Sequence, residues 1–317
     1  MARVSAIIIS FNTCALTLEC LTGLHRELDA LDSEVWLVDN ASTDGTVDAI
    51  REGFPDVRII ENQENRGFGA ANNQALQQAT GDFLLLLNSD AFPRPGAVKA
   101  MVHYLRDHPE VGVVGPRLLN ADGSLQRSCY RFPSPRRTWL EMLGIVSLFP
   151  NHPVVGDYRR WDHAEDRLVD FVSGACMMVR REAFEAVGGF DEQFFMYAEE
   201  TDWQLRMKRQ GWDVAFTSGA EVVHLGGSSG ASTMAGINPT FFESGDYYQL
   251  KHYGQAGLVI MRLAMVIGCA IRAAGWGLIM LVLPSRRRVA SQKARLFGWL
   301  FIRQTINWSI LKTGVKG

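Results

Sequence analysis

Residues 4–45 read VSAIIISFNTCALTLECLTGLHRELDALDSEVWLVDNASTDG, and the fold is decided there. A run of branched apolar residues, Val4–Ser10, breaks into the polar Ser10-Phe11-Asn12-Thr13. Ala15–Asp29 follows with the character of a helix. A second apolar run, Glu34–Val38, then breaks into Asp39-Asn40-Ala41-Ser42-Thr43-Asp44-Gly45. The rhythm continues outward. Val57–Glu61 and Asp82–Leu87 read as further strands, Gly45–Phe54 and Gly69–Ala79 as further helices. Strands alternating with helices predict an α/β fold with a mostly parallel sheet flanked by helices. Ligands of such sheets bind beyond the carboxyl ends of the strands, where the strand order switches.

The strand ends are where the polar residues collect. Strand one delivers Ser10 and Asn12, strand two Asp39, and the fourth strand Asn88-Ser89-Asp90. A carboxylate on a strand end, such as Asp39, can accept from the N–H of a base. Asp44 reads instead as a cap for the helix that begins near Gly45. Asn65-Arg66-Gly67-Phe68-Gly69 is a glycine turn before a helix, with a cation and free N–H groups suited to a diphosphate. No GxGxxG follows strand one, which argues against an NAD enzyme. Asp90 can hold a divalent cation or simply close a turn.

Further along, Val169–Arg180 reads as a strand running into a helix near Glu182–Val187. Then comes GFDEQFFMYAEETDW, residues 189–203, with Glu199, Glu200 and Asp202 at the start of a helix over Glu199–Gln210. Carboxylates at a helix start can be caps. Packed this closely beside aromatics, they also raise one another's pKa, which suits a general base. His224 ends a last strand before Gly226-Gly227-Ser228-Ser229-Gly230, a position open to a structural role or to metal ligation.

Together these motifs resemble family 2 glycosyltransferases of the GT-A fold, within them the bacterial rhamnosyltransferase-like group. The resemblance rests on IIISFNT, LVDNASTDGT, ENRGFGAANNQA, LLLLNSDA, the FVSGACMMVRREAFEAVGGFDEQFFMYAEETDWQLR stretch and VVHLGGSS, in order over about the first 250 residues. It implies a Rossmann-like GT-A domain over 1–253. Asp39 would read a pyrimidine base, Ser10, Asn12 and Ser89 would line the nucleotide pocket, and Arg66 and Asn72 would meet the diphosphate or ribose. Asp90 matches the last position of an Asp-x-Asp metal motif and His224 a further ligand, for Mg²⁺ or Mn²⁺. Glu200 matches the usual base, flanked by Glu199 and Asp202. Asn88 stands where the family has the first Asp of the metal motif, and Glu200 where it has Asp. The implied reaction is an inverting transfer from dTDP-rhamnose or a UDP-sugar onto a glycan carried by polyprenyl diphosphate, in polysaccharide or cell-wall assembly. The competing expectation is a catalytically silent sugar-nucleotide binder in an assembly complex.

Composition bounds the rest. Apolar residues make up 47% of the 317, as in an ordinary globular chain, and the five cysteines form no CxxC pair, which suits a reducing compartment. No signal peptide is evident. From Gly254 onward there are ten Lys and Arg and no Asp or Glu, so the first 253 residues hold 22 basic against 34 acidic groups, 22 − 34 = −12. Residues 254–317 therefore read as a separate basic, apolar, helical segment. Leu258–Leu283 is strongly apolar apart from Arg262 and Arg272; Arg286-Arg287-Arg288, Lys293 and Arg295 follow, then a second apolar stretch, Leu296–Leu311. Amphipathic helices of this kind predict contact with an anionic membrane surface through 258–311, on the inner face of the cell membrane. A dimer contact comes second and a true span third, because Arg272 would sit near its middle. Nucleic acid is not an expected partner, since the large apolar side chains would have no use there.

Overall fold

The computed structural model describes residues 3–152, 154–226 and 239–306. The chain opens with β1 (Val4–Ser10), α1 (Cys14–Leu28), β2 (Ser33–Asp39), α2 (Thr46–Gly53), β3 (Arg58–Glu61), α3 (Phe68–Leu76) and β4 (Phe83–Asn88). β1, β2 and β4 are largely apolar on both faces, as parallel strands covered by helices are, while the edge strand β3 exposes Arg58 and Glu61 at its ends. β1 pairs in parallel with β2 and β4, and β2 with β3. The register sets Ser10 beside Asp39, and Ile9 beside Asn88, so the polar strand ends line up along one edge. The order β3-β2-β1-β4 reverses direction at β1, and that switch point is where a crevice opens.

The remainder of the sheet departs from the parallel expectation. β5 (Ala91–Pro93), α4 (Ala97–Asp107), β6 (Val111–Leu119), β7 (Leu125–Gln126) and β8 (Cys129–Tyr130) come next. α5 (Pro135–Met142) and α6 (Ile145–Leu148) follow, then β9 (Arg167–Val169), β10 (Phe171–Val172), β11 (Cys176–Arg180), α7 (Arg181–Val187), α8 (Glu199–Arg209) and β12 (Asp213–His224). The full order is β3-β2-β1-β4-β11-β6-β12-β5, with β7 added to β6 and β9 to β12. β11 runs antiparallel to both β4 and β6, so the sheet is mixed. The single strand expected over Val169–Arg180 is three pieces. Asp170 breaks the first, its carboxylate accepting from Phe132 N and from Arg131, and Ser173–Ala175 form a loop before β11.

The chain divides into two units. The first holds the described residues of 1–132, 161–232 and 238–244. Its core is apolar residues from β1, β4, β6 and β12 packed under α1 and α4, among them Ile8, Leu85, Val114 and Met101.

The second unit takes α5 and α6 together with the chain from 245. Its membership is thus not continuous in sequence, as a plain tail from 254 would be. α9 (Pro239–Val282) leaves helical geometry at Gly254 (φ 68°, ψ −172°), and α10 (Arg287–Ile306) closes the described chain. The two arginines that interrupt the apolar run both have partners within this unit. Arg262 is buried in an ion pair with buried Asp246 at 2.8 Å. Arg272 donates to the carbonyls of Glu141 and Met142, the exposed carbonyl end of α5, at 2.7 and 2.6 Å. These carbonyls satisfy N–H donors of Arg272 and lower, without removing, the cost of a charge near the middle of a span. From Ala256 to Val282 every exposed residue of α9 is Ala, Gly, Ile, Leu or Val.

Candidate active site

The crevice at the β1/β4 switch point encloses about 280 Å³, between the ends of these strands, the turn at Gly67 and the start of α8. Asp39, the last residue of β2, is buried. Its Oδ2 accepts from Ser42 N at 2.8 Å, while Oδ1 is buried with no partner. A buried anionic oxygen left unpaired is costly, so this atom suits an N–H donor from a ligand. Asn12 (φ 52°) clips the two post-strand loops together: its N–H donates to Ser42 Oγ and its Oδ1 accepts from Thr43 N. Ser10 lies deeper, its hydroxyl bonded to Thr13 and Thr17; Thr13 in turn meets Ser89, which does line the crevice. Ser10 thus supports the floor and Ser89 forms part of it.

The turn before α3 is braced from three sides. Asn65 Oδ1 accepts from Gly67 N, Asn40 Nδ2 donates to Gly67 O, and Phe68 N donates to Phe195 O. Gly67 has φ +80°, and a Cβ there would run into the Phe195 carbonyl oxygen. Arg66 stands half-exposed, 3.5 Å from Glu192. Asn72 is buried and donates to Phe68 O, bracing the first turn of α3; it does not line the crevice.

Ahead of α8 the backbone passes through two consecutive left-handed residues, Tyr197 (φ 70°) and Ala198 (φ 67°), each costing about 1–2 kcal/mol. Glu199 and Glu200 then face the crevice, and each keeps an Oε2 buried without a partner. Burial pushes the Glu199 carboxyl well above the usual carboxylate range, and the neighbouring Glu200 pushes it further. Burial also raises Glu200, which keeps some surface on the crevice; N–H groups of Glu200, Thr201 and Gly174 pull it partly back. Asp202 has another part to play. It is fully buried, away from the crevice, in an ion pair with Arg206 at 2.9 Å, and Arg206 also holds the carbonyls of Val187 and Gly189. Its place is in the packing of α8.

On the opposite side, Asp90 Oδ1 lies 3.3 Å from His224 Nε2, and His224 Nδ1 lies 2.7 Å from Gln126 Oε1. Among the described residues no group of three or more His, Cys, Asp or Glu gathers to hold an ion by itself. A carboxylate oxygen and an imidazole nitrogen fit Mg²⁺ or Mn²⁺ when diphosphate oxygens and water supply the remaining positions. The pair therefore fits a cation shared with a ligand.

Residues 5–188, more than half of the chain, match the profile described as Glycosyl transferase family 2. The chain belongs to that family. Among curated relatives, it is 34% identical over 202 residues to the N-acetylglucosaminyl-diphospho-decaprenol L-rhamnosyltransferase of Mycobacterium tuberculosis, covering 60% of this chain and 66% of the relative, just under two thirds. It is 31% identical over 198 residues to the O-antigen biosynthesis protein RfbC of Myxococcus xanthus, covering 60% of this chain and 15% of that one. In fold it is similar to a mannosyltransferase from Pyrobaculum calidifontis solved with GDP-Man and Mn²⁺, with a TM-score of 0.55 at 21% identity over 97% of this chain and 88% of the other.

In this family 2 glycosyltransferase, two residues that brace the crevice from behind its lining carried no signal in the sequence. Gln126 sits 98 residues from His224. Asn73 anchors the loop before α8 through Phe190 N and O, 117 residues away. A side chain that bridges such distances leaves no pattern in a local window.

Proposed function

We propose that this glycosyltransferase moves a hexosyl group, L-rhamnosyl first, from a dTDP- or UDP-sugar to a glycan carried on polyprenyl diphosphate. The observation that carries the reading is the pair of buried, unpartnered carboxylate oxygens of Glu199 and Glu200, in the same crevice as Asp90 and His224. Two carboxyls this close titrate as a unit. Glu200, which keeps surface on the crevice while Glu199 is buried, is then the base and Glu199 its protonated neighbour. Asp39 Oδ1 takes the N–H of the pyrimidine, and Arg66 turns from Glu192 toward the diphosphate. Glu200 removes the proton of the acceptor hydroxyl as that oxygen bonds to the anomeric carbon. The bond from that carbon to the diphosphate breaks on the opposite face, giving inversion. Bound at Asp90 and His224, a divalent cation would neutralise charge on the departing diphosphate. The relative's decaprenol-linked substrate supports a lipid-linked acceptor.

The apolar outer face of α9, followed by exposed Arg286, Arg287, Arg288, Lys293 and Arg295, supports peripheral contact with the inner face of the cell membrane. α9 is also long and apolar enough to cross a bilayer by length and composition. Residues 307–311 of the expected contact lie outside the described residues.

The test is thermal unfolding of the full chain with dTDP, UDP, GDP or NAD, with and without Mn²⁺. A ligand at a hundred times its Kd adds about 2.7 kcal/mol. A shift with dTDP or UDP that needs Mn²⁺ and disappears in Asp39→Ala is the expected result. A shift with GDP alone overturns the pyrimidine donor, and none with any diphosphate overturns the donor site.

A further inference from the structure

Gln126 occupies the short strand β7 beside β6, and its side-chain amide meets three groups. Nε2 donates to the backbone carbonyl of His224 at 3.0 Å and to Asn120 Oδ1 at 2.9 Å. Oε1 meets His224 Nδ1 at 2.7 Å. A backbone carbonyl can only accept, so the amide nitrogen must be on its side and the amide oxygen on the imidazole side. Asn120 agrees, because its own Nδ2 donates to Ser124 Oγ and the carbonyl of Leu125, leaving Oδ1 to accept from Gln126.

An amide oxygen also can only accept. The hydrogen of the neutral imidazole therefore sits on Nδ1, and Nε2 carries a lone pair. That lone pair faces Asp90 Oδ1 at 3.3 Å, an acceptor when ionised. Two acceptors held face to face call for a positive charge between them, a proton or a metal ion.

We propose that Gln126 is a positioning residue: it fixes the tautomer and ring plane of His224, so that Nε2 and Asp90 Oδ1 form a preset two-ligand seat for a divalent cation. The inference rests on reading Asp90 and His224 as that seat. Carbonyl, amide and imidazole form a relay anchored on the backbone of the ligand itself. The ring is thereby tied to its own peptide through Gln126. Outer partners of metal-bound histidines commonly alter metal affinity about 10–100-fold.

The test uses the full chain and two readouts. The first is ¹⁵N NMR of labelled histidine in the metal-free protein at mildly alkaline pH, with the His224 signal assigned by its loss in His224→Ala. The second is Mn²⁺ affinity with saturating UDP or dTDP, from the electron paramagnetic resonance of free Mn²⁺. Gln126→Leu removes the acceptor, and Gln126→Glu retains one. The proposal expects the Nδ1–H tautomer in the parent chain, a mixture in Gln126→Leu with Mn²⁺ affinity about 10–100-fold weaker, and an affinity within a few-fold of the parent in Gln126→Glu. Thermal unfolding without metal checks that the variants are folded. An Nε2–H tautomer in the parent, or unchanged Mn²⁺ affinity in Gln126→Leu, overturns it. If the parent has the Nδ1–H tautomer but binds no Mn²⁺, the seat itself fails and the proposal with it; the NMR result tells that failure apart from a wrong tautomer.

Discussion

Glu199 and Glu200 carry the chemistry proposed for the crevice, and their elevated carboxyl groups also tie stability to pH. Once pH passes the ordinary carboxylate range, the unfolded chain has released protons that the folded chain still holds. The unfolded state then binds fewer protons, so stability falls as pH rises toward the elevated values. Below about pH 4 both states are protonated and the penalty vanishes. Glu199→Gln is therefore expected to melt with the parent near pH 4 and above it near pH 8, in calorimetric scans across that range. Glu200→Gln is expected to lose about 10²–10⁴-fold in kcat. If Glu199→Gln is the inactive variant and Glu200→Gln turns over, the two roles are exchanged. The acidic cluster itself was legible in the sequence. Which member does what was not, although one clue was there: Asp202 and Arg206 have the four-residue spacing of a helical ion pair, and that pair withdraws Asp202 from the crevice. Ser10 and Asn72 were likewise found as polar residues near strand and helix ends. Only the fold shows that their bonds run inward, to Thr17 and to Phe68.

At the scale of elements, the β1–α1–β2 reading carried furthest, because branched apolar runs ending in polar residues leave little choice but parallel strands with a crevice at their ends. Insertion of β11 between β4 and β6 could not be read in the same way. Its side chains are apolar on both faces whichever way the strand runs, so the pattern holds no information about direction. The sharpest constraint among the connections is the turn at Gly67, where the start of α3 meets the loop before α8. Alanine there must adopt positive φ, at about 1–2 kcal/mol, and displace the Phe195 carbonyl. Gly67→Ala is expected to lower Tm by several degrees and weaken UDP or dTDP binding at least tenfold by calorimetric titration. Parent-like nucleotide affinity in a folded Gly67→Ala would show that the turn does not shape the donor site.

For the whole molecule, the charge asymmetry was visible in composition, whereas the direction each face of α9 takes required the structure: Arg262 and Arg272 are engaged by Asp246 and α5, and the exposed face is wholly apolar. Vesicle flotation checks the proposed membrane contact. The full chain is expected to float with phosphatidylglycerol-containing vesicles even in high salt, and Ile267→Ser with Ile271→Ser to abolish flotation. Replacing Arg286, Arg287 and Arg288 by Gln is expected to weaken binding to anionic vesicles by about 100-fold, from about 1 kcal/mol per charge. A chain that stays off vesicles and sediments as a dimer, split by the Ile267/Ile271 variant, would make the same face a subunit contact. Among the described residues, the second unit is also assembled from two separated stretches, 133–160 and the chain from 245. During synthesis the first stretch precedes the second by 245 − 160 = 85 residues. At about 5–20 residues per second that is a wait of about 4–17 s. Through that interval, and until residue 272 is made, the carbonyls of Glu141 and Met142 have no Arg272 to meet. The pace of the ribosome between those two points thus sets how long half a unit waits for its other half.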